Sequence, residues 1–179
     1  MMLRRQALQA LGLCTAQLAA WLASPATART PPARPSVLDL QRGVDRFRID
    51  LQSDQGYQVA AWLLRDLRMQ RVGRPDPRML HLLAWGQAAM ALHGHTTVLV
   101  VTSGLRTEGT HRITEGAARA SLHLPDSQGM FRAVDLDPVG VHRNAWGMLM
   151  ARLGYGGVGF YRTHVHVDSG PAGRIWANG

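Results

Sequence analysis

Near the end of the chain, the stretch Arg162-Thr163-His164-Val165-His166-Val167-Asp168-Ser169-Gly170 alternates polar and apolar residues. On a β-strand, residues two apart share a face. His164, His166 and Asp168 therefore line one side, and Val165 and Val167 turn to the other, where they can bury. A single strand histidine is ordinarily structural. Two at this spacing can both reach one ion, so the stretch reads as one wall of a metal site.

A second constellation lies upstream, in Ser121-Leu122-His123 and the residues that follow. His123 opens a loop, Asp126 lies within it, and Asp135 and Asp137 share one face of the next strand. One His and one Asp from here, with one His from the terminal strand, give zinc three protein ligands. A fourth position stays open for water. That is the pattern of catalytic zinc, which brings the pKa of its water to ~7. Structural zinc is usually closed by four ligands, often cysteines. The only cysteine here is Cys14.

A third candidate is Arg106, which follows Ser103 and Gly104 at the exit of a β-branched run. A guanidinium there can be solvated, or it can be aimed at a carboxylate or a developing oxyanion. Glu108 and Glu115 are the only glutamates in the chain. They read as helix surface and capping, with support of the site as the alternative. His81, His93, His95 and His142 read as surface or packing residues.

These residues need elements to position them. Residues 37–51 form two apolar runs around Gly43, which suggests a hairpin. Helical spacing runs through Tyr57, Ala60, Ala61, Leu64 and Leu67. A second helix starts at Asp76, its N-cap, with Pro77 in the first turn and Gly94 as the stop. Thr96–Ser103 reads as a buried strand. Residues 105–120 read as loop and a short helix. Phe131–Asp137 is another strand, and His142–Gly154 a third helix. Gly156–Gly170 closes the domain as two short strands around a turn. Trp176 is expected to pack the C-terminal tail, with Arg174 salt-bridged or solvated. The order predicts an α+β fold, an antiparallel sheet backed by helices.

The 179 residues suit one domain with a single core, and 46% are hydrophobic. Residues 1–28 carry Arg4 and Arg5, an Ala/Leu-rich run, and Ala26-Thr27-Ala28. That is a basic, then apolar, then A-x-A pattern, so a cleavable export signal is expected, by the Tat or Sec route. Leu13 precedes Cys14 where a lipid-anchor signal needs a small residue, so no stable membrane anchor is expected. Residues 29–36 form a Pro-rich linker, and 37–179 the domain. After cleavage no thiol remains, so any metal must be held by His and carboxylates. All 20 basic residues are arginine, and the net charge is +8. The arginines are scattered, without dense runs or interleaved aromatics, so no nucleic-acid partner is expected. A monomer is the default.

Taken together, "SGLRTEGTH", "EGAARASLH", "GMFRAVDL", "GGVGFYRTHVHVDSGP" and "RIW" resemble the bacterial murein endopeptidase K family. That family lies within the zinc peptidase group of D-Ala-D-Ala peptidases, lysostaphin-type enzymes and hedgehog-type domains. The similarity runs from about residue 37 to the end. It implies a hedgehog/D-Ala-D-Ala peptidase-like fold and a periplasmic zinc enzyme that hydrolyses peptidoglycan cross-links. A carboxypeptidase acting on peptide stems and a non-catalytic metal- or murein-binding module are the alternatives. By the resemblance, His123, Asp135 and His166 hold zinc. Arg106 holds substrate or polarises its carbonyl, Ser121 contacts substrate, and His164 steadies the tetrahedral intermediate. Three departures stand out. Eleven residues, Leu124–Val134, separate His123 from Asp135, more than the family's spacing. Phe160 and Tyr161 stand where relatives place a glutamate base, leaving His164, Asp168 or another residue for that task. His111 replaces a usual asparagine.

Overall fold

The computed structural model describes residues 34–114 and 120–178. The expected export signal, residues 29–33 of the linker, Cys14 and Glu115 lie outside these residues.

Strands Val37–Arg42 (β1) and Asp45–Asp50 (β2) pair antiparallel, with Arg42 opposite Asp45. The two residues between them form the turn. Gly43 has φ +60° and Val44 does not share a positive φ, the pattern of a type II′ hairpin that suits glycine first. Helix Asp54–Leu63 (α1) follows, capped by the Ser53 hydroxyl, which accepts from Gly56 N at 3.0 Å. Strand Arg74–Pro75 (β3) leads to helix Pro77–Leu92 (α2). Its N-cap is Asp76, and the chain turns off at Gly94 with φ +81°. Next come strand Val98–Ser103 (β4), helix Glu108–Arg112 (α3) and strands Met130–Phe131 (β5) and Ala133–Val139 (β6). Helix Arg143–Leu153 (α4) ends at Gly154 in the left-handed conformation. Strands Gly157–Tyr161 (β7), Val165–Asp168 (β8) and Arg174–Asn178 (β9) complete the order.

Seven strands form one sheet in the order β2-β1-β4-β6-β8-β7-β9, and β3 pairs with β5 separately. The fold is α+β, as expected, but the sheet is mixed rather than purely antiparallel. β1 runs parallel to β4, and β7 parallel to β9. α1 and α2 lie between β2 and β4 and give the chain length to return before laying down β4. β9 forms where the sequence leads one to expect only a packed C-terminal tail.

α1 also stops short of the predicted helical run, at Leu63. Asp66 is the cause. It is buried, and its carboxylate accepts from the backbone N of Arg68, Met69 and Thr107 and from the hydroxyls of Thr107 and Thr110. A helical residue could not face all these donors.

One core forms beneath the sheet. Val134, Leu136, Val165 and Val167 are fully buried in one cluster with residues of α1, α2 and α4; α4 packs on β6 and β8, and Trp146 and Met150 sit at the α2–α4 contact. A Cβ on Gly86 would come within 2.5 Å of the Trp146 ring, so glycine sets how closely those helices approach. The residues alternating with the buried ones on β6 and β8 face away from this core, and they carry the chemistry.

Candidate metal centre

The strand registers place five residues in one row across the sheet. Ser103 of β4 is opposite Asp135 of β6, and Asp135 is opposite His166 of β8. His166 is opposite Gly159 of β7, and Gly159 is opposite Trp176 of β9. The row follows from strand alternation alone. Once Val134 and Leu136, or Val165 and Val167, are committed to the core, Asp135 and His166 must share the other face.

His123 reaches the same point from a loop. Its backbone N donates to the Ser121 hydroxyl at 3.3 Å, and its carbonyl accepts from Arg106 N at 3.0 Å. Its ring is oriented by Nδ1, which lies 2.6 Å from the Gly104 carbonyl and donates to it. Nε2 is then left with its lone pair turned inward. His166 uses the opposite nitrogens. Its Nε2 lies 3.1 Å from Asp168 Oδ2 and donates to it, so Nδ1 presents the lone pair.

Three acceptors therefore converge. His123 Nε2 lies 3.2 Å from Asp135 Oδ1, His166 Nδ1 lies 2.9 Å from the same oxygen, and the two nitrogens are 3.3 Å apart. Lone pairs at such distances repel unless a proton or a cation lies between them. A tetrahedral ion with bonds of about 2.0–2.1 Å keeps its ligands about 3.3 Å apart, so the triangle fits a divalent metal of zinc's size. Among the described residues, His123, Asp135 and His166 form the one group of this kind. Both histidines carry the backing hydrogen bond, to a carbonyl or a carboxylate, that metal-binding imidazoles ordinarily have.

The electrostatics agree. Burial pushes the Asp135 carboxyl up, but His123 and His166 outweigh this and hold it well below the usual carboxylate range. Burial pushes His123 down. Burial also acts to lower His166, yet Asp135 and Asp168 raise it above the ordinary histidine value. A field that favours a proton on His166 favours a cation at the centre of the triangle.

The long His123-to-Asp135 segment does not displace the aspartate. Its loop closes on itself: Asp126 accepts from Gln128 N and Met130 N, pairs with Arg132, and bonds Gly129 N through its carbonyl. Gly129 supplies the positive φ, +74°. Asp126 is therefore a loop clasp and lies outside the metal group. Asp137 is also outside it, paired with Arg143 at 2.8 Å. Asp168 is fully committed behind His166, accepting from Gly157 N, Gly170 N and Arg174. It is buried there, which corrects its candidacy as a general base.

His164 lies just before β8, partly exposed, with Nε2 3.8 Å from Asp135 Oδ1. It stands at the rim of the triangle and outside the metal group. Burial lowers its pKa. Arg106 donates from Nε to the Ser103 hydroxyl at 2.9 Å and from Nη2 to Asp135 Oδ2. It grips the carboxylate oxygen that the histidines leave free. Ser121 sits at the foot of the loop, its hydroxyl accepting from His123 N. Glu108 opens the short helix α3, and His142 caps α4, its Nδ1 accepting from Asn144 N.

Three contributors are not marked by residue type and spacing. The Gly104 carbonyl that orients His123 is a backbone atom, invisible to residue type. Trp176 lies 5.1 Å from the His166 ring, and Tyr161 stacks on His164. The alternation of "GVGFY" with "RIW" was the available signal for the last two, and it becomes readable only once β9 is known to be a strand.

A family model described as Peptidase M15 matches residues 57–168. No curated protein matches the chain, and no solved structure does. The matched span is more than half of the chain and includes the whole triangle, Arg106 and His164, and a metal-dependent peptidase family accounts for a preformed three-ligand centre. The chain belongs to the peptidase M15 family.

Proposed function

We propose that this protein is an exported zinc endopeptidase that hydrolyses cross-links in periplasmic peptidoglycan. The observation that carries this reading is the convergence of His123 Nε2, Asp135 Oδ1 and His166 Nδ1, each backed by its own partner, in a peptidase M15 chain. Zinc bound there supplies Lewis-acid polarisation and acidifies water at neutral pH.

The chain's own residues do the rest. Arg106 has five N–H donors, of which Ser103 and Asp135 engage two. Among the described residues the remainder have no partner, and they can hold a stem-peptide carboxylate or the oxyanion of the reacting amide. Its bond to Asp135 Oδ2 keeps that side chain turned with Oδ1 to the histidines. His164 Nε2, 3.8 Å from Asp135 Oδ1 at the rim of the triangle, steadies the same developing charge. Ser121 stands beside His123 as a substrate contact. The absence of a dense basic run suits short anionic stems better than nucleic acid.

Defined muropeptides test the reading. A cross-linked dimer should be converted to two monomers by the zinc-loaded protein. Release of a terminal D-residue from a monomer, with the dimer intact, would make it a carboxypeptidase. Neither product, from a protein containing metal, would make it a binding module.

A further inference from the structure

His164 makes no hydrogen bond to the metal triangle. It sits in the β7–β8 turn, its side chain is 22% exposed, and its 3.8 Å approach to Asp135 is too long for a hydrogen bond. Thr163 Oγ1 lies 3.1 Å from Nδ1, but that hydroxyl is itself on an exposed neighbouring residue. A turn histidine held only in this way would sample several rotamers.

One more contact fixes it. The Tyr161 ring lies against the imidazole, with centroids 4.4 Å apart and planes 13° from parallel. Tyr161 is the last residue of β7, and its N–H donates to the His164 carbonyl at 3.1 Å, which closes the turn. Its hydroxyl accepts from Trp176 Nε1 at 3.1 Å. Trp176 is set by the parallel pairing of β9 with β7, where it lies opposite Gly159. A Cβ on Gly159 would come within 2.5 Å of the indole. Glycine at that position in the row lets the indole reach across to His166, 5.1 Å away. One tryptophan thus touches the ligand histidine directly and braces the phenol stacked on the other.

We propose that Tyr161, braced by Trp176 of the C-terminal strand, is a positioning residue that holds the His164 imidazole with Nε2 turned to the metal centre. The inference rests on the peptidase reading for its effect on turnover, and on geometry alone for the ring contact.

Two measurements test it. The first is proton NMR of the His164 ring in the purified protein. Stacking should shift those resonances upfield; Tyr161→Phe, which keeps the ring but loses the Trp176 bond, should show a smaller shift, and Tyr161→Leu should return them toward free-histidine values. The second is kcat on a cross-linked muropeptide dimer, with KM and metal content measured beside it. Tyr161→Leu should lower kcat about tenfold or more at unchanged metal content. Tyr161→Phe should keep most of it, which also guards against a folding artefact. In a His164→Ala background, Tyr161→Leu should have no further effect. Unshifted wild-type resonances, a Tyr161→Leu enzyme at full kcat, loss of its metal, or an undiminished effect in the His164→Ala background would each overturn the inference alone. A wild type inactive on the dimer would overturn it together with the proposed function.

Discussion

Asp135 and His166 are direct cross-strand partners on β6 and β8, and their side chains meet, buried, on the face of the sheet turned away from the core, with Oδ1 and Nδ1 2.9 Å apart. The pair is therefore built by the sheet rather than by a loop, and it is as rigid as the strands that carry it. Asp135→Asn should leave the fold intact and lose metal affinity by at least about a hundredfold. It also removes the anionic partner of Arg106. Metal titration beside circular dichroism checks this.

His164 and His166 are two residues apart and should separate cleanly. His166→Ala removes a ligand, so metal and activity should vanish together. His164→Ala leaves the triangle whole, so metal content should persist while kcat falls by about a hundredfold. A metal-free His164→Ala protein would make His164 a ligand and contradict the division of roles.

Asp168 acts on the metal only through His166. Removing its negative charge in Asp168→Asn weakens the hold on Nε2–H and on Arg174. Metal affinity should drop by about 10–100-fold, with the spectrum of the folded protein unchanged. Equilibrium dialysis against a metal buffer measures the shift.

Asp66 gives a pH prediction away from the metal. Burial pushes its carboxyl up, but the bonds from Thr107, Thr110 and Met69 outweigh this and hold it below the usual carboxylate range. A group depressed on folding stabilises the protein above its unfolded pKa, about 3.9. That contribution is lost as pH falls through the folded value. Asp66→Ala should cost about 2–3 kcal/mol at pH 7, by leaving Thr107 and Thr110 without their acceptor. The difference in melting temperature from wild type should shrink steadily below about pH 4. A gap that widens in acid would contradict the assignment.

Much of this was legible in the residues. The hairpin at Gly43, the Asp76-Pro77 helix start and the β-branched run before Ser103 are local signals, and each element formed where its signal lay. Strand alternation put His166 and the valines on opposite faces before any fold was known. Other features depend on tertiary contact. The early end of α1 is set by Thr107 and Thr110, more than forty positions from Asp66. The parallel pairings of β4 and β9 arise from where the chain returns, which periodicity does not encode. The choice of Asp135 over Asp126 rests on the family resemblance, and its physical reason, a self-closed loop around Asp126, is a property of the folded chain.

The central claim is that this three-ligand centre cuts the cell wall, and a digest tests it most directly. Purified protein is incubated with intact murein sacculi, with and without a chelator, beside the His166→Ala variant, and the soluble fragments are identified by mass. The account predicts loss of cross-linked dimers with wild-type protein alone, abolished by the chelator and by His166→Ala, and restored by adding zinc to the chelated enzyme. Sacculi left unchanged by a wild-type protein shown to contain one metal ion per chain would contradict it.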